Sequence, residues 1–179
     1  MPANPLLIPL LALAGLFLGG CATPAQSNAM VPTSLGSVTK HPESLSVSVT
    51  GGSETSAAGA SQISASDFAT ALSQSIQQSG LFARIMPSGQ PGDYRLDVAI
   101  VRLKQPMFGF SMTATVETNW TLTRLRDQSV LWRKAITTSH TTKTGEAFAG
   151  VTRLRLATEG AARDNIQDAI TQLSAVPLL

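Results

Sequence analysis

Over residues 112–122 apolar side chains fall on alternate positions, Met112, Ala114, Val116, Trp120 and Leu122, with Thr118 in phase. Thr113, Thr115, Glu117, Asn119 and Thr121 fill the positions between. Successive side chains of a strand point to opposite faces, so this run specifies a long strand with one apolar and one polar face. The apolar face has to be covered by another layer. No other feature narrows the fold as much.

Its neighbours repeat the pattern. Tyr94, Leu96, Val98 and Ile100 alternate with Arg95, Asp97 and Ala99, and the strand reaches toward Leu103. Arg126-Asp127-Gln128-Ser129 reads as a turn, after which Val130, Trp132 and Ile136 begin a strand that continues through Thr and Ser to Thr142. Trp120 and Trp132 then fall on neighbouring strands and are expected to pair across them. Earlier, Leu45, Val47 and Val49 alternate with Ser46, Ser48 and Thr50, and Gly51-Gly52 ends that strand.

Two stretches change period. Phe68, Leu72 and Ile76 recur every four residues behind Ser64, Ser66 and Asp67, and Gly80 stands where a helix ends in the left-handed region. This predicts a helix over 67–79. Leu81, Phe82 and Ile85 return the chain to the core before a turn at 87–92. Ala162, Ile166, Ala169, Ile170 and Leu173 make one stripe opposite Arg163, Asp164, Gln167, Asp168 and Gln172, a helix over 151–174 stopped by Pro177. The order is strand-helix-strand-strand-strand-helix. An α+β two-layer sandwich follows, with a largely antiparallel sheet covered on one face by two helices.

The amino-terminal part is different. Residues 6–20 form a 15-residue apolar run, which as a helix reaches ~22 Å, less than the ~30 Å hydrocarbon core of a bilayer. It reads as a cleavable export signal over residues 1–20. Residues 21–44 are rich in Ser, Thr, Pro and Ala, with Met30, Val31, Leu35 and Val38 at no fixed period. They read as a flexible tether that spans ~25 Å as a coil. Residues 45–179 form a single domain.

The apolar run closes on Leu18-Gly19-Gly20-Cys21, which resembles the lipobox of bacterial lipoproteins: a large apolar residue, two small ones and a cysteine. The small residues suit the chemistry, because the acylating enzyme needs an accessible thiol and the peptidase needs a thin, extended Gly20-Cys21 bond. Cys21 is the sole cysteine, so it has no disulfide partner within the chain. The resemblance implies cleavage between Gly20 and Cys21, three acyl chains on Cys21 including palmitate, and a periplasmic protein anchored in a membrane. Ala22 stands where the enterobacterial pattern puts the aspartate of inner-membrane retention, which implies the outer membrane. With the order of elements, residues 71–85, Leu131-Trp132 and Ala161-Ala162-Arg163-Asp164-Asn165-Ile166 are similar to small envelope lipoproteins of Gram-negative bacteria. Among these are an uncharacterised lipoprotein family and, more distantly, the lipoprotein of the lipopolysaccharide translocon. The reading is binding, as an accessory or assembly subunit of an envelope complex, not catalysis; the alternatives are a lipid- or glycolipid-binding module in outer-membrane biogenesis, with a pocket between sheet and helices, and a hydrolase using His140.

Charge and motifs agree with that expectation. A net charge of +2 from 13 basic and 11 acidic residues, unclustered, is not the footprint of a nucleic-acid binder. His41 and His140 have no metal-ligand spacing, and no phosphate loop, nucleophile elbow or zinc signature occurs. No cofactor and no metal are expected. A hydrolase would need a serine and an acid converging on His140; the plainer reading is a surface residue of a Thr-rich strand.

Gln105-Pro106-Met107-Phe108-Gly109-Phe110 is more informative. Apolar side chains at a hairpin tip bury little against their own sheet, so Met107, Phe108 and Phe110 are candidate contacts for an envelope protein partner or for lipid. The alternative is a loop folded back to cap the core. Arg153, Arg155 and Arg163 are candidate contacts for an anionic lipid headgroup, against a plain reading as solvated helix-face residues.

Overall fold

The computed structural model describes residues 22–36, 38–56 and 59–178. The segment from Leu18 to Cys21 therefore lies outside the described residues, as does the expected leader. The elements are β1 (His41–Gly51), α1 (Ala65–Ser79), β2 (Phe82–Ile85), β3 (Tyr94–Lys104), β4 (Met112–Arg124), β5 (Ser129–Thr142) and α2 (Gly150–Leu173). One five-stranded sheet has the order β2-β1-β3-β4-β5. The expected α+β architecture holds, with β3, β4 and β5 antiparallel and β1 parallel to both β2 and β3.

Strand phase follows the alternation, and where it slips a bulge is the cause. Ile100 stands opposite Thr118 but Arg102 stands opposite Glu117, so Val101 is the extra residue and is exposed. That slip turns Leu103, not Arg102, toward the apolar side of Val116. The strand β2 was not expected as a strand. Four residues of Phe-Ala-Arg-Ile carry no readable alternation, and β2 is held by parallel pairing to the first residues of β1.

The helices form as their ends dictate. Ser64 Oγ accepts the Asp67 N–H at 3.0 Å and donates to the Asp67 carboxylate at 2.6 Å, closing the first turn of α1. Gly80 ends α1 at φ 65°, a conformation that suits glycine. Phe68, Ala71, Leu72 and Ile76 are buried from α1, and Ala157, Ala161, Ala162, Ile166, Ala169 and Ile170 from α2. Small residues let α2 approach the sheet closely: a Cβ on Gly160 would meet the His140 ring at 2.3 Å.

Two expectations are corrected. Trp120 does not face Trp132; the register sets Trp120 against Lys134 and Leu122 against Trp132. Trp120 is fully buried, its ring lies 6.1 Å from that of Phe68 on α1, and its Nε1 donates to Thr118 Oγ1 at 2.7 Å. The layer above the sheet, not the adjoining strand, supplies its partner.

The second correction concerns the tether expected over 21–44. Ala25 and Met30 are 1% and 0% exposed, a 3-10 turn runs over Ser27–Met30, and it packs against both helices. The Ala25 N–H donates to the Gln62 carbonyl at 3.1 Å, the Gln26 N–H to Glu159 Oε1 at 3.0 Å, and Arg163 Nη1 to the Ala29 carbonyl at 3.4 Å. β1 starts at His41, whose N–H donates to the Leu81 carbonyl. Composition failed here because one methionine, buried for about 1.5–3 kcal/mol, is enough to dock a short segment when backbone bonds assist it. Among the described residues no helix is long and apolar enough to cross a membrane.

Candidate functional site

The strand directions gather four connections at one end of the sheet. β1 runs parallel to β3, so the segment after Gly51 lies at the end where β3 reaches Lys104. Met112 opens β4 opposite Thr142, the last residue of β5, and a Cβ on Gly150 would lie 3.6 Å from the Met112 Cε. Residues 105–111 and 143–149 thus spring from one point. Ala25, bonded to Gln62, brings the amino-terminal segment to the same end.

The roots of the two loops are fixed while their tips are free. Gln105 Nε2 donates to the Ser61 carbonyl at 2.6 Å and to Thr158 Oγ1 at 2.7 Å, clamping the β3–β4 connection to α2. Beyond that clamp Met107 is 95% exposed and Phe108 and Phe110 are each 86% exposed. The loop does not fold back as a cap. A Cβ on Gly109 would lie 2.9 Å from the Ser111 carbonyl oxygen, so the tip needs glycine for its tight turn.

Arg153 plays the clamp for the second loop. Its Nη1 donates to the carbonyls of Ala147 and Phe148 at 2.8 and 2.7 Å, and Phe148 stands fully exposed. Val151, on the first turn of α2, is also exposed. Ala22 lines a depression of about 400 Å³ together with Ala60, Pro106, Met107, Val151 and Leu154. Five of the seven large apolar side chains exposed among the described residues belong to this end, so the patch is a local feature and not a general property of the surface.

The three arginines do not form the expected strip. Arg153 is buried and engaged as above; Arg155 faces Glu159 at 3.8 Å; Arg163 reaches the Ala29 carbonyl. Each is turned onto the protein: Arg153 onto the 143–149 connection, Arg155 onto Glu159, and Arg163 onto the amino-terminal segment read as a free tether. Glu159 beneath it is 3% exposed. Burial pushes its carboxyl above the usual range, against the Gln26 N–H bond and the charges of Arg155 and Arg163.

His140 Nδ1 lies 3.0 Å from Asp164 Oδ2, with both side chains about a third exposed. An acid and an imidazole therefore meet, as a hydrolase would require. The hydroxyl two residues back on the same strand face, Thr138 Oγ1, donates to the Ala161 carbonyl at 2.8 Å, and among the described residues no serine hydroxyl is hydrogen-bonded to His140. No cluster of three or more His, Cys, Asp or Glu able to hold a metal occurs among the described residues.

Two members of the site had weak sequence signals. Phe148 is a lone aromatic in a Glu-Ala-Phe-Ala-Gly connection and is legible only once its loop is placed beside residues 105–111. Glu159 is a carboxylate one turn after Arg155 within a run of small residues, a pairing a helix makes visible only after the amino-terminal segment covers it.

No family model matches the chain, and no curated protein sequence matches it significantly. Solved structures do. A Xanthomonas campestris protein of the DUF330 family superposes with a TM-score of 0.62 at 15% identity, over 86% of this chain and 92% of that one. What is shared is the fold. A hypothetical protein from Chlamydia trachomatis gives a TM-score of 0.50 at 10% identity, over 74% and 95% of the two chains. A minor lipoprotein from Acinetobacter baumannii gives 0.48 at 11% identity, over 74% and 92%. At these identities the likeness reports architecture alone, and the last is too loose to bear on function.

Proposed function

We propose that this chain is a lipoprotein of the bacterial envelope, anchored through acyl chains on Cys21 in the outer membrane at its periplasmic face, and that it acts by binding as an accessory or assembly subunit. One observation carries the reading. The sequence Leu18-Gly19-Gly20-Cys21 is followed at once by Ala22, and Ala22 borders a depression that the exposed Met107 and Val151 also line. An anchor and a sticky surface are placed side by side. Confinement to a membrane raises the effective concentration of a partner in the same plane, so weak contacts suffice. More than one acyl chain supplies the stable attachment that a single chain does not.

The centre of the domain is packed: Trp120, Phe68, Leu72, Ile76, Ile166 and Ile170 are all fully buried, and the depression of about 520 Å³ beside β1 and the start of α1, lined by Val47, Val49, Ala65 and Ala69, lies at the margin of that core. Intact mass measurement of protein taken from its host membranes tests the proposal. The expected amino terminus is Cys21 carrying acyl chains. A retained leader or an unmodified Cys21 contradicts it.

A further inference from the structure

We infer that the end of the domain bearing Met107, Phe108, Phe110, Phe148 and Val151 is a membrane face, and that the domain rests directly on the bilayer that holds its anchor. This rests on the reading of Cys21 as the acylated residue. It reverses the sequence expectation of a tether that lifts the domain away.

Chain length keeps this end of the domain close to the anchor. Cys21 is peptide-bonded to Ala22, so their Cα atoms are about 3.8 Å apart, and acyl chains on Cys21 hold that point at the lipid surface. Ala22 borders the same depression as Met107 and Val151. Three residues later the chain is already bound: Ala25 is buried, and its N–H is bonded to Gln62. Four residue steps, ~14 Å when fully extended, separate Cys21 from the bonded Ala25, so the side chains around Ala22 are the first to meet the bilayer.

The chemistry of those side chains suits that contact. Two phenylalanines and a methionine project from one loop and a third phenylalanine from the next, each held at its root by Gln105 or Arg153. Residues 105–116, 147–152 and 55–66 contain no Asp, Glu, Lys or Arg. These uncharged tips enter the boundary of headgroup and acyl chain without stripping water from ions, while the exposed Glu54, Lys143 and Glu146 at the same end stay among the hydrated headgroups. A protein partner would leave these groups competing with a bilayer already in reach.

The test is depth-resolved quenching on the full acylated protein in vesicles of phosphatidylethanolamine and phosphatidylglycerol with brominated acyl chains. Phe110→Trp places a reporter on the rim, Phe108→Trp repeats it at a second position, and Ser88→Trp places one at the opposite end of the sheet. The native emission, from Trp120 and Trp132, is the baseline. The rim reporters should lose most of their added emission to brominated lipid and shift to the blue, while the Ser88→Trp emission is unchanged. Rim emission unaffected by bromine at both positions, with Cys21 acylated by mass, overturns the membrane face alone and points to a protein partner. Quenched rim reporters on a protein whose Cys21 proves unmodified would keep the membrane face and sink the lipoprotein reading.

Discussion

The two ends of the sheet solve the same problem in opposite ways. At the end away from Ala22, connections are closed by polar side chains. Asp127 accepts from the N–H and hydroxyl of Ser129 and pairs with Arg124, and Asp93 accepts the N–H and hydroxyl of Ser44. These carboxyls sit low: Asp127 is lowered to about 2, chiefly by the Ser129 hydroxyl, and Asp93 is lowered by the Ser44 bonds. At the end beside Ala22 the same kind of connection carries bare aromatics on clamped roots. A chain that can close one end with aspartate and serine has no folding need for three exposed phenylalanines at the other. The difference separates what the fold requires from what the surface is for.

The largest effect expected is from Met30→Ala, which empties a fully buried site between the amino-terminal segment and the helices. A loss of about 2–5 kcal/mol in chemical denaturation is the normal range for such a truncation. A change near zero would mean that the segment is not docked and would restore the tether. Gln105→Ala should be intermediate, removing bonds to Ser61 and Thr158 at the root of the apolar loop. Leaving those groups unmatched costs about 1–3 kcal/mol. By contrast, Phe108→Ser with Phe110→Ser, beyond that root, should stay within ~0.5 kcal/mol of the native stability. Root and tip would then be separated by calorimetry alone, and a tip pair as damaging as Gln105→Ala would make the aromatics part of the core.

Acidity sharpens the contrast further. Asp127 binds protons less well folded than unfolded, so its contribution is present above its usual 3.8 and is lost as pH falls toward about 2. Asp127→Asn should flatten the decline of stability across that acid window. Glu159 has the reverse sign. Its folded carboxyl is raised above the usual 4.5, so stability falls as pH rises through the window above that value. Glu159→Gln should remove that slope, and thermal melts across the pH range read both. A Glu159→Gln protein with the native slope would show that Glu159 does not retain its proton beside Gln26.

Much of this architecture is legible without coordinates. Alternation through Tyr94, Leu96 and Val98 and through Met112, Val116 and Trp120 fixes two long strands, and Ser64, Asp67 and Gly80 fix a helix at both ends. The bulge at Val101 is visible in retrospect as the step from Ile100 to Leu103. What is hidden depends on partners far away in sequence. Phe82 and Ile85 become a strand because β1 lies alongside, Met30 becomes core because two helices leave a slot, and Arg163 turns inward because Ala29 arrives 134 residues earlier. Of the site, Met107, Phe108 and Phe110 are readable from position on a hairpin tip. Phe148 and the closeness of Ala22 are not, since only the pairing of Met112 with Thr142 and of Ala25 with Gln62 brings them together.

Neutron reflectometry of the acylated protein on a supported bilayer tests the central claim most directly, because it measures the layer between lipid and protein. A domain resting on its apolar end gives protein density that begins in the headgroup region with no water layer between. A hydrated gap of ~25 Å, the span of a free coil of about twenty residues, would show that the domain stands off from its anchor and that the exposed phenylalanines face something else.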